Sequence, residues 1–148
     1  HGRLQVELEG LGLRELDGYG TTTLAEIDAS LAALASELGL SVECRQSSAE
    51  GALIDWLHEA DTAFEGVVLN AGAYTHTSIA LLDALQAAEL PVIEVHLSNI
   101  FRREEYRRHS YMSLAAEGVI CGLGAKGYEL AVAAMAELLS SGHGRGQA

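Results

Sequence analysis

Cations are scarce in this sequence. Nine lysines and arginines stand against 21 aspartates and glutamates, for a formal charge of −12 at pH 7. No overall basic field is left to hold a phosphate backbone, which disfavours a nucleic-acid partner. Cysteine is rarer still: Cys44 and Cys121 lie far apart among apolar neighbours and read as buried thiols of a reducing compartment, not a disulfide framework. Aromatic residues make up 5% of a chain that is 49% hydrophobic. Its core must therefore come from Ala, Leu, Val and Ile, as in sheets covered by helices. No apolar run approaches the ~20 residues of a bilayer crossing and no signal peptide opens the chain, so the expectation is a soluble, cytoplasmic protein without a membrane partner. HExxH and CxxC are absent, and His76 and His96 lack helical ligand spacing, which sets metal binding aside. GLGAKG lacks the spacing of a dinucleotide fingerprint, and no acidic residue follows about 20 positions on.

What is present is a regular alternation. A length of 148 residues suits one domain, with residues 140–148 expected as a frayed tail. Leu24, Ile27, Leu31, Leu34 and Leu38 recur at helical spacing, opened by a capping box at Thr23 and Glu26 and closed by Gly39. The strand-like SVEC follows, then a helix from near Ser47 with Glu50 as its capping partner, and the buried-strand run GVVL. A helix from about Thr77 to Ala88, the strand PVIEV, a short arginine-rich helix, the strand GVIC and a terminal helix complete the series. With a first strand near Leu4 to Leu8, this predicts five parallel strands in an α/β, flavodoxin-like three-layer sandwich, with a site beyond the carboxyl ends of the strands.

The loops at those ends are polar. After GVVL come Asn70 and His76; after PVIEV come His96, Ser98 and Asn99. Asn70 suits a turn or cap as well as a ligand contact, and a lone histidine such as His76 is more often a solvated residue than a ligand. Glu94 and His96 alternate on a strand and so face one side of the sheet. A carboxylate buried there needs a partner; paired with His96, it would make a general acid working near neutral pH. The amides of Leu97 and Ser98 with the Ser98 hydroxyl could form an anion nest. Arg102, Arg103, Arg107 and Arg108 read either as a solvated face paired with Glu104 and Glu105 or as a local anion site. In LRELDGYG, Arg14 and Tyr19 sit in a glycine-rich segment, either as surface residues or as a tyrosine whose proton a guanidinium loosens.

NAGAYTHTSIAL, EVHLSN, REEYRRHSY and GVICGLGAKGY, in that order, resemble the type II 3-dehydroquinate dehydratase family, and RQSSAEGALIDWLHEA is similar to its preceding strand and helix. The resemblance runs from about Arg14 to Leu139. It implies a trans-dehydration of 3-dehydroquinate to 3-dehydroshikimate, a step of the shikimate pathway, without metal or other cofactor, in a homododecamer built as a tetramer of trimers. RELDGYG matches the family's lid, implying Tyr19 as the base and Arg14 as its activator. His96, paired with Glu94, is implied as the acid. Asn70, the Leu97 and Ser98 amides and the Ser98 hydroxyl would hold the substrate carboxylate; Arg107 and His76 would take ring hydroxyls, and Asp83 would reach a neighbouring subunit's site.

The first loop departs from the family. Its Gly-Pro-Asn-Leu segment is missing, and in a gap-free alignment the asparagine that helps hold an enolate-stabilising water falls on Glu7. Leu16 replaces the lid proline, Leu82 an arginine, and Phe101 with Arg102 a His-Ala pair. Three readings follow: a dehydratase, an enzyme of another cyclic hydroxy acid, or a non-catalytic binding or scaffold homologue. Arg14, Tyr19, Glu94 and His96 together weigh against the last, because simple binding needs neither an activated base nor a paired acid.

Overall fold

The computed structural model describes the backbone of residues 2–8 and residues 23–142 in full. Arg14, Leu16 and Tyr19, the Glu7 side chain and the last six residues lie outside the described residues.

Strands β1 (Gly2–Leu8), β2 (Leu40–Gln46), β3 (Gly66–Asn70), β4 (Val92–His96) and β5 (Gly118–Cys121) form one sheet in the order β2-β1-β3-β4-β5. Every pairing is parallel. Helices α1 (Leu24–Glu37), α2 (Glu50–Ala63), α3 (Ile79–Ala88) and α4 (Lys126–Ser140) alternate with them. Parallel neighbours require crossovers: α-helices supply those as far as β4, and the 3-10 turns Ile100–Arg102, Glu105–Arg107 and Met112–Leu114 carry the chain from β4 to β5.

β3 and β4 are buried along their whole length, and the two-residue repeat sorts their side chains between two cores. Val68, Ile93 and Val95 pack with Ile27 and Leu31 of α1 and Tyr128, Val132 and Met135 of α4. Val67, Leu69 and Val92 pack on the other face with Leu53 and Leu57 of α2 and Leu81 and Leu85 of α3. Fully buried leucines such as Leu31, Leu53, Leu57 and Leu81 each stabilise the fold by about 1.5–3 kcal/mol. Leu82 is 8% exposed within the second core, so an apolar side chain suits that position.

The α1 start is as the sequence predicts: Thr23 and Glu26 cap each other reciprocally. Three other boundaries differ. Helix α2 begins at Glu50 with Ala49 as an N-cap that makes no side-chain bond, because the Ser47 hydroxyl instead accepts from the Ala49 amide. Helix α3 begins at Ile79, two residues late, where the Ser78 hydroxyl accepts from the Leu81 amide. The arginine-rich stretch forms two 3-10 turns, Ile100–Arg102 and Glu105–Arg107, because Arg103 and Glu104 take extended ψ values of −169° and 149° that interrupt a helix.

Cys44 and Cys121 are half-buried and neither is in a disulfide. Burial, helped by the charge and hydrogen bond of Asp28, pushes the Cys44 thiol up to about 12. It therefore packs as a protonated thiol.

Candidate active site

The parallel register aligns the carboxyl ends of the central strands. Leu8 of β1 stands opposite Asn70 of β3, Leu69 opposite Glu94 of β4, and His96 opposite Cys121 of β5. α1 and α4 cover one face and α2 and α3 the other, so the crevice of a doubly wound sheet falls beside the ends of β1 and β3. Asn70 stands at that end, and Glu94 and His96 stand on the next strand.

Glu94 and His96 lie on the same face as Val92, toward α2 and α3. Their side chains are 1% and 5% exposed. His96 turns Nε2 to Glu94 Oε2. A buried carboxylate is costly unless its lone pairs are met, and here Ser110 Oγ donates to Oε2 at 2.9 Å and Ser113 Oγ to Oε1 at 2.6 Å. Burial pushes the Glu94 carboxyl up, but the hydrogen bonds from His96 and Ser113, the His96 charge and the Ser110 hydroxyl outweigh it and hold the group below its ordinary value. A carboxylate kept ionised in this way is a strong acceptor that fixes the orientation of the imidazole beside it. With Nε2 engaged, Nδ1 is the ring nitrogen left for a ligand.

Asn70 is buried and used at both ends. Its Oδ1 accepts from the Gly72 amide at 3.0 Å, and its Nδ2 donates to the Tyr128 hydroxyl at 2.8 Å. The second Nδ2 hydrogen is left to point elsewhere. His76 ends the 3-10 turn Gly72–His76, with Nδ1 against the His109 carbonyl at 2.7 Å. Its ring stacks toward that of His96 with centroids 6.5 Å apart. The structure thus brings Asn70, His76, Glu94 and His96 to one end of the sheet.

Leu97 is buried and Ser98 half-buried where β4 gives way to its loop. Asn99 turns that loop by accepting from the Phe101 amide. Gly122, at φ 90°, donates its amide to the His96 carbonyl, and a Cβ there would lie 3.0 Å from the Asn99 Cβ. Only glycine fits so close a crossing of the two loops. Arg107 donates Nε to Glu104 Oε2 at 3.0 Å and lies over the Tyr106 ring at 5.3 Å. Its turn packs against the turn that carries His76. Asp83 is on the exposed face of α3. Tyr128, Ser110 and Ser113 were not among the residues expected at the site; the HSY motif held one of them, but nothing in it marks a contact with Glu94.

The chain matches the family described as dehydroquinase class II over residues 5–136. It is 53% identical over 130 residues to 3-dehydroquinate dehydratase from Variovorax paradoxus, covering 84% of this chain and 89% of that protein. Identity to 3-dehydroquinate dehydratase 2 from Pseudomonas aeruginosa is 54% over 127 residues, 86% of each. The crystal structure of type II dehydroquinase from Propionibacterium acnes is similar with a TM-score of 0.87 at 43% identity, covering 93% of this chain and 97% of that one.

Proposed function

The chain belongs to the class II dehydroquinase family and is a 3-dehydroquinate dehydratase, a hydro-lyase, and we propose that it eliminates water from 3-dehydroquinate through an enolate with Tyr19 as base and His96 as acid. The observation that carries the reading is the buried Glu94–His96 pair at the carboxyl end of the sheet, with Asn70 and His76 beside it.

Tyr19 as tyrosinate takes the C2 proton, and the electrons move onto the ketone oxygen. A tyrosine of ordinary pKa ~10 needs roughly 3 units, or ~4 kcal/mol, of help at neutral pH, which the Arg14 guanidinium supplies. Placing both within six residues of sequence lets activation be coupled to closure of the site. The enolate then collapses, the C1–C2 double bond forms, and His96 Nδ1 protonates the departing C1 hydroxyl as water. Glu94 keeps the proton on His96 until that moment. The reading calls on acid–base groups alone, without a cofactor.

The remaining Nδ2 hydrogen of Asn70, the Leu97 and Ser98 amides and the Ser98 hydroxyl hold the substrate carboxylate. His76 and Arg107 take ring hydroxyls. The strand order supports a flavodoxin-like three-layer description with five strands. Ile79, Phe101, Tyr106 and Leu114 leave large apolar surface exposed, which favours burial between subunits. A homododecamer built as a tetramer of trimers would use it, with Asp83 reaching into a neighbour's site. Among the described residues no helix is long and apolar enough to cross a membrane, and a cytoplasmic location fits this reading.

The test is to add 3-dehydroquinate to the purified protein and follow the ultraviolet absorbance of the conjugated enone. Tyr19→Phe should lower kcat by at least ~10²-fold, the usual reach of a positioned base, and leave substrate binding nearly unchanged. A Tyr19→Phe protein that keeps its rate would remove Tyr19 from the mechanism.

A further inference from the structure

We infer that Ser110 and Ser113 are positioning residues of the acid: their two hydroxyls hold the Glu94 carboxylate, and the strap from His109 to Ser113 fastens both site histidines to one piece of backbone. The inference rests on the reading of Glu94–His96 as the acid.

Its geometry is a relay of donors. The Ser113 amide donates to Ser110 Oγ at 3.1 Å, which turns the Ser110 hydrogen toward Glu94 Oε2. The Ser113 hydroxyl takes the other carboxylate oxygen, Oε1. His96 Nε2 completes the set on Oε2. Between the serines, Met112 is fully buried in the core under α2 and α3 and anchors the strap. One residue earlier, the Tyr111 amide donates to the Thr75 carbonyl at 2.9 Å, and the His109 carbonyl meets His76 Nδ1. A single five-residue segment therefore sets the orientation of His76 and the charge of the group that serves His96.

The two hydroxyls matter because burial alone would make Glu94 neutral. Among the described residues the surroundings offer no other source of compensation. On β4 the neighbour is His96, and from the 3-10 turn His76 faces His96 with ring centroids 6.5 Å apart. Leu69 of β3 and Val119 of β5, opposite Glu94 in the ladder, are apolar. On the strap itself the His109 ring lies against Tyr111, 5.0 Å away. Among the described residues only His96, Ser110 and Ser113 offset the burial of Glu94. Removing the hydroxyls lets its pKa rise, so the carboxylate is lost at a higher pH and the acidic limb of the rate profile moves upward.

The experiment is the kcat–pH profile of Ser110→Ala, Ser113→Ala, the double variant and Ser113→Thr, beside His96→Ala. A hydrogen bond to a charged group and the free-energy value of one pKa unit put the upward shift of the acidic limb at roughly 1–2 pH units in each single variant and about twice that in the double variant. KM should stay within about 2-fold and kcat at the optimum should fall about 10-fold on the same basis. Ser113→Thr, which keeps a hydroxyl at an exposed position that tolerates change, should hold the parental profile. An unmoved acidic limb in the double variant, while His96→Ala is inactive, would overturn the positioning role alone. A loss of rate without a limb shift, unrescued by Ser113→Thr, would mean merely structural serines and also overturn it. Full activity in His96→Ala would overturn the acid reading itself and this inference with it.

Discussion

At the scale of single residues, the hydroxyl of Tyr128 shows how a side chain can serve two masters. Its ring is fully buried between α4 and the sheet, while its oxygen accepts from Asn70 Nδ2 across 58 residues of sequence. Tyr128→Phe keeps the ring and strands one amide hydrogen, so stability should fall by about 1–3 kcal/mol. Asn70 would then be free to turn, and KM for 3-dehydroquinate should rise while kcat changes little; urea unfolding and steady-state kinetics check the two halves. The helical spacing of Tyr128, Ala131, Val132, Met135, Leu138 and Leu139 in the sequence puts the tyrosine on an apolar helix face. It could not reveal the hydroxyl's partner, because nothing local links α4 to the end of β3. The Glu94–His96 pair was legible for the opposite reason: the two-residue repeat of a strand puts both on one face whatever the rest of the chain does.

Elements were legible where a local interaction decides them. The Thr23–Glu26 box satisfies two amides within one turn, and Thr23→Ala should cost about 1 kcal/mol, or roughly 2–4 °C in Tm for a domain of this size, as thermal unfolding would measure. The similar spacing of Ser47 and Glu50 misleads because the serine hydroxyl has a nearer donor in Ala49. A pattern of residue types cannot rank competing bonds that differ by one turn of backbone. The stretch from Arg102 to Arg108 misleads in another way. Its composition suits a helix, yet extended Arg103 and Glu104 divide it into two short turns, and one of these carries Arg107 to the turn of His76.

For the whole molecule, the alternation of apolar strands and amphipathic helices was enough to predict an α/β fold with a parallel sheet, because burial on both faces demands continuous apolar strands. Assembly is less legible, since exposed apolar side chains such as Leu114, 69% exposed, mark a surface and not the copy that covers it. Light scattering should give a mass about twelve times the 15.6 kDa of one chain; a stable monomer would dismiss the dodecamer and the shared role of Asp83. The sheet order carries one more consequence. β1 lies between β2 and β3, although both are made after it. During synthesis it emerges with two open edges, β2 closes one, and the other stays open to strands of neighbouring nascent copies until α2 and β3 have left the ribosome.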